Sequence, residues 1–133
     1  MHLKGLADGA TGNIMLGYDP GEFPRYLMKL CSNLFVENSI YNDSKDLLMK
    51  AFDMLQDITC YGSCTACVIT YNKESSLIHV ANIGDSGFRL VRNGKIISKS
   101  EPQRISYDCP RQLDSYPWKA ESRKMGVCYT DIM

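Results

Sequence analysis

The chain has 133 residues, 44% of them hydrophobic, and its 15 Lys plus Arg balance its 15 Asp plus Glu. That length fits one domain with enough apolar material for a core, while a net charge of zero gives no electrostatic case for nucleic acid or an anionic membrane surface. No apolar run approaches the length of a membrane span, and the N-terminus lacks the long apolar core of a secretory signal.

The opening stretch, Lys4-Gly5-Leu6-Ala7-Asp8-Gly9-Ala10-Thr11-Gly12, suits a strand that stops abruptly and leaves one carboxylate at its open end. Glycine lets a ligand approach the main chain closely. A hard cation such as Mg²⁺ or Mn²⁺ takes oxygen ligands, often one or two carboxylates plus water. Asp8 and the carbonyl of Gly9 offer two such oxygens, although Asp-Gly is also a common turn pair.

Next comes Gly17-Tyr18-Asp19-Pro20-Gly21-Glu22-Phe23, in which Asp19 fits a helix N-cap, Pro20 the first helical position and Glu22 the capping-box position. Phe23, Leu27, Leu30, Cys31 and Leu34 then recur at helical spacing, which predicts a helix from Pro20 to Glu37. After a short connection, Asp43 or Ser44 caps a second helix with the stripe Leu47, Leu48, Ala51, Phe52, Leu55 and Ile58, ending near Thr59. Two amphipathic helices with a short link predict an antiparallel pair on a common surface.

From Thr65 the period changes. Thr65 to Tyr71, Leu77 to Ile83, Phe88 to Arg92 and Lys95 to Ser98 read as four strands of an antiparallel meander. Asn93-Gly94 is a type I′ hairpin signal. Helices followed by strands argue an α+β fold with the helices on one face of a sheet. Beyond Ser100 the pattern reads as a polar loop of about twenty residues, punctuated by prolines and anchored by Trp118. Val127 to Met133 reads as a returning strand.

Six cysteines are present. Cys60, Cys64 and Cys67 form a C-x3-C-x2-C run with no second knuckle to complete a zinc site. Cys67 lies in a β-branched apolar run, where a buried thiol acts as a small hydrophobe. Reduced thiols fit an intracellular protein.

Ala81-Asn82-Ile83-Gly84-Asp85-Ser86-Gly87-Phe88 sits between the second and third strands. Asp85 can satisfy its own backbone in a tight turn, or it can stand at the same end of the fold as Asp8. In the second case the two carboxylates disfavour each other's ionisation unless a cation sits between them.

Gly5-Leu6-Ala7-Asp8-Gly9 resembles the metal-binding motif of the protein phosphatase 2C family, the metal-dependent Ser/Thr phosphatases. Tyr61-Gly62-Ser63-Cys64-Thr65-Ala66 is similar to its Gly-Ser-x-Thr-Ala motif, and Ala81 to Phe88 to its Ala-Asn-x-Gly-Asp-Ser motif. Asp19 to Phe23, and Pro110-Arg111-Gln112-Leu113, resemble the branch that includes a mitochondrial phosphatase and bacterial sporulation phosphatases. The five motifs fall in the family's order from Leu3 to Leu113.

The resemblance implies an α+β fold, a β-sandwich of two antiparallel sheets flanked by helix pairs, with two Mg²⁺ or Mn²⁺ ions at one end. It implies that Asp8 bridges those ions, that the Gly9 carbonyl binds one, and that Asp85 helps hold a third, weaker metal. The implied substrate is a phosphoserine or phosphothreonine protein, and neither nucleic acid nor membrane is an expected partner. The implied compartment is mitochondrial or cytoplasmic. Ser63 and Thr65 are expected to be structural.

Two departures stand out. Ala10 occupies the place of a histidine that donates a proton in many members, and Thr11 replaces a usual glycine while Gly12 is kept. The family's first strand, with an acidic ligand and a phosphate-binding arginine, is expected before His2, and its later aspartates after Met133. Residues 1–133 therefore read as part of one domain, truncated at both ends and inactive alone. The alternative is a phosphatase-like module that binds phosphoprotein without turnover.

Overall fold

The computed structural model describes residues 1–38 and 43–116 in full, and residues 128–132 as backbone. Trp118, Val127 and Met133 lie outside the described residues, so the anchoring expected of Trp118 does too.

The main sheet is antiparallel. Strand β1 (His2–Gly9) pairs with β2 (Gly62–Asn72), β2 with β3 (Leu77–Ile83), and β3 with β9 (Cys128–Ile132), while β8 (Leu113–Ser115) pairs with the start of β2. In chain order between β3 and β8 stand β4 (Arg89–Arg92), β5 (Lys95–Lys99), β6 (Arg104–Ser106) and β7 (Cys109–Pro110), which form two separate ribbons, β4–β5 and β6–β7. Helices α1 (Glu22–Glu37) and α2 (Ser44–Gln56) pack on each other and on one face of the sheet.

Alternation along the strands decides what each face meets. The helix-facing row of β1 is Leu3, Gly5, Ala7 and Gly9, opposite Thr70, Val68, Ala66 and Cys64 of β2. Small residues in β1 let α1 come close: a Cβ on Gly5 would stand 3.0 Å from Met28 Sδ. Lys4, Leu6 and Asp8 occupy the other face. Strand β2 is buried on both faces from Gly62 to Val68, as a central strand must be.

Both helices place their expected stripes in the core. Phe23, Leu27, Cys31 and Leu34 of α1 and Leu47, Leu48, Ala51, Phe52 and Leu55 of α2 are buried, while Leu30 is half-buried against them. Their caps differ. Asp43 caps α2, accepting from Lys45 N at 2.7 Å and Asp46 N at 3.4 Å. The N-cap of α1 is Gly21, two residues beyond the expected Asp19, and it makes no side-chain capping bond. Burial of each large apolar side chain contributes about 1.5–3 kcal/mol against about 1 kcal/mol for a cap, so α1 forms on packing. Helix α2 stops at Gln56, short of Thr59, which leaves Ile58 outside the stripe and exposed.

The four-strand meander is corrected. Strands β3 and β4 do not pair, because Gly84, with φ +91°, swings the chain out of the sheet and β9 takes the place beside β3. The β4–β5 hairpin stands, with positive φ at both Asn93 and Gly94 (51° and 75°) as a type I′ turn requires. The expected loop after Ser100 is also corrected, since β6, β7 and β8 lie within it.

Candidate metal centre

Asp8 is the penultimate residue of β1 and lies directly across from Thr65 of β2. Thr65 is buried, and its Oγ1 is hydrogen-bonded to Ser86 Oγ at 2.5 Å. Extending the Ala66–Ile83 pairing by one step places Gly84 beside Thr65, and a Cβ on Gly84 would stand 2.5 Å from Thr65 Cγ2. Asp8, Thr65 and the Gly84–Asp85–Ser86 turn thus stand side by side at one end of the sheet. Asp85 shares this end of the sheet with Asp8, and its carboxylate makes no turn bond among the described residues.

Asp8 and Asp85 are both exposed. Neither makes a hydrogen bond or ion pair among the described residues. Asp85 sits at the mouth of a groove of about 550 Å³ that it shares with Ser86, Phe88, Arg89, Lys99 and Pro102. Gln103 holds the turn from behind, donating its N–H to Gly84 O at 2.9 Å and accepting from Gly84 N through Oε1 at 3.3 Å.

Gly9 ends β1 where the chain presses against the N-terminal side of α1. A Cβ there would lie 1.8 Å from Pro20 O and 3.2 Å from Pro24 Cγ, so glycine alone fits. Ala10 N then donates to Ser63 O at 3.1 Å, and a 3-10 helix (Thr11–Leu16) follows. Its buried Asn13 accepts from Tyr116 Oη at 2.6 Å.

The donors gathered at this end are two carboxylates and a carbonyl, oxygen throughout, a set that fits a hard cation. Among the described residues, no group of three His, Cys, Asp or Glu is placed to hold a metal. Cys31, Cys60, Cys64 and Cys67 are buried free thiols and Cys109 is an exposed one. Burial pushes the Cys31 thiol up to about 12, and burial, with Cys31 and Asp8 nearby, raises Cys64.

Three positioning contacts escaped the sequence reading. Thr65, expected to be structural, ties β2 to the Asp85 turn through Ser86 while lying across from Asp8 of β1. Alternation in β1 and β2 carries a signal for its place beside Asp8. No local pattern announces Gln103 or Tyr116, which act across 19 residues to Gly84 and 103 residues to Asn13.

The protein phosphatase 2C family matches residues 24–108, more than half of the chain, and the chain belongs to that family. It is 39% identical over 117 residues to a Drosophila mojavensis protein named protein phosphatase PTC7 homolog fig, covering 85% of this chain and 37% of that one. To the human protein phosphatase PTC7 homolog it is 36% identical over 130 residues, covering 96% of this chain and 41% of the relative. The chain thus spans about two-fifths of the length of these curated relatives. The X-ray structure of the photosystem II phosphatase PBCP superimposes with a TM-score of 0.81 at 28% identity, covering 98% of this chain and 50% of that one. The fold is therefore the α+β fold of a protein phosphatase 2C member, as the motifs implied.

Proposed function

We propose that the protein carrying this chain is a metal-dependent Ser/Thr phosphatase. Its substrate is a phosphoserine or phosphothreonine protein, and its cofactor is Mg²⁺ or Mn²⁺, two ions in the intact domain. The observation that carries this reading is the pair of carboxylates, Asp8 and Asp85, that stand at one end of the sheet with no hydrogen bond or ion pair among the described residues. When bound, two such ions polarise a phosphoryl oxygen and lower the pKa of a water that attacks phosphorus in line.

This chain's residues then have distinct roles. Asp8 and the Gly9 carbonyl, at the end of β1 set by the β1–β2 register, would help hold the ions. Asp85 contributes from the facing turn. Ala10 holds no proton for the leaving group, so water supplies it. We assign the protein to the mitochondrion or cytoplasm, with neither nucleic acid nor membrane as partner.

A test uses the full-length protein with a phosphothreonine peptide. Hydrolysis is expected with Mn²⁺, none with chelator, and a fall of roughly a hundredfold or more on Asp8→Ala. Unchanged turnover by Asp8→Ala sinks the assignment. A second reading, a non-catalytic phosphatase-like module, is favoured by Ala10 and the short ligand set. Phosphopeptide binding without phosphate release by the full-length protein establishes it.

A further inference from the structure

We propose that Thr65 and Ser86 form a positioning pair that sets Asp85 relative to Asp8 and thereby tunes the affinity of this end of the sheet for a divalent cation. The proposal rests on the phosphatase reading above.

Cross-strand neighbours on one face have Cβ atoms about 4.5–5.5 Å apart, and Asp8 and Thr65 are such a pair. Thr65 is 2% exposed, so its hydroxyl cannot lean on bulk water. Its hydrogen bond goes to Ser86, the residue after Asp85. Its methyl group abuts Gly84, the residue before Asp85. Thr65 therefore grips the acidic turn on both sides of Asp85 while standing beside Asp8. Neither carboxylate has a hydrogen bond or ion pair of its own among the described residues, so backbone placement decides where each one stands. Two carboxylates resist approach unless a scaffold holds them, and a ligand set held in place before the ion arrives binds it more tightly.

A purely structural hydroxyl would move stability and leave ion affinity alone. The test is calorimetric titration of the full-length protein with MnCl₂, no substrate present, alongside thermal unfolding. Thr65→Val removes the hydroxyl at nearly constant shape, Ser86→Ala removes its partner, and Thr65→Ser keeps the bond. Thr65→Val and Ser86→Ala are each expected to weaken Mn²⁺ binding about threefold to tenfold, the range one hydrogen bond allows. The double variant should weaken it no further than either single, because both remove the same bond. Thr65→Ser should stay within about twofold of the parent protein. Should Thr65→Val fail to fold, Ser86→Ala at its half-buried site carries the test. Unchanged Mn²⁺ affinity in a folded variant, or losses that add in the double, overturns the positioning role alone. A parent protein that does not bind Mn²⁺ overturns the phosphatase reading and this inference with it.

Discussion

Gly9 and Pro20 meet backbone to backbone: a Cβ on Gly9 would stand 1.8 Å from the Pro20 carbonyl oxygen. The contact fixes the end of β1, and so the Gly9 carbonyl, against the segment that leads into α1. Gly9→Ala forces one of them to move, because the obstacle is main chain and cannot rotate away. Overpacking of this kind is expected to cost about 3 kcal/mol. Urea unfolding followed by circular dichroism measures it. Asp8→Asn, at an exposed position, should stay within about 0.5 kcal/mol of the parent. A well-tolerated Gly9→Ala would mean that the strand end is not held there.

The two helix entrances make a second contrast. Asp43 accepts two main-chain N–H groups at the start of α2, so Asp43→Ala is expected to destabilise by about 1 kcal/mol. Asp19 accepts from Gly21 N at 2.8 Å and pairs with Arg25 at 2.6 Å, which together hold its carboxyl below the usual range. It is exposed and caps no helix, so Asp19→Ala should have the smaller effect. Denaturant midpoints of the two variants decide the order, and a reversed order would restore Asp19 as the functional cap.

These contrasts show what was legible in the sequence. The apolar stripes of α1 and α2 were, because burial follows a 3.6-residue period that neighbouring residues reveal. Strand β3 was legible to the residue, whereas β2 was read from Thr65 to Tyr71 and begins three residues earlier, at Gly62, and ends one later, at Asn72. The placement of Asp8 and Gly9 at a strand end could be read from Asp-Gly. The failures share one cause. Asp19-Pro20-Gly21 satisfies the local grammar of a helix start, but that grammar does not report Gly9 of β1 seated on the Pro20 carbonyl. Likewise β3 and β4 look like neighbours in a meander until β9, from the far end of the chain, takes that edge. The Thr65–Ser86 bond spans 21 residues, and no spacing rule reports it.

The buried thiols predict a pH response. Burial raises Cys31 from 9.0 to about 12 and Cys67 from 9.0 to about 11. In the unfolded chain these thiols lose their protons near 9, while in the fold they keep them to higher pH. The unfolded state therefore binds fewer protons in that window, and stability falls as pH rises from 9 toward 12, by up to about 1.4 kcal/mol per pH unit per thiol. Below pH 9 the contribution is fully present. Urea midpoints at pH 8 and 10 should differ less in Cys31→Ala than in the parent. At neutral pH, iodoacetamide should label exposed Cys109 and spare Cys31, Cys60, Cys64 and Cys67 until urea unfolds the chain.

Tyr116 closes the other side of this end of the fold. Its Oη stands 2.6 Å from Asn13 Oδ1 and 3.1 Å from Ser63 Oγ, and its ring packs near Tyr18 at 6.3 Å between centroids. Asn13 is 2% exposed, and its Nδ2 already lacks a partner among the described residues. Tyr116→Phe keeps the ring and removes the hydroxyl, leaving the Asn13 carbonyl oxygen buried without that donor. Such a loss costs about 1–3 kcal/mol. Asn13 N also bonds Ala10 O at 3.1 Å, one residue past Gly9. The damage is therefore expected to reach the segment that follows the candidate ligands. Hydrogen exchange should show faster amide exchange at residues 10–18 in Tyr116→Phe, with the α2 amides unchanged. Equal acceleration in both places would mean a global loss of stability and no local clamp.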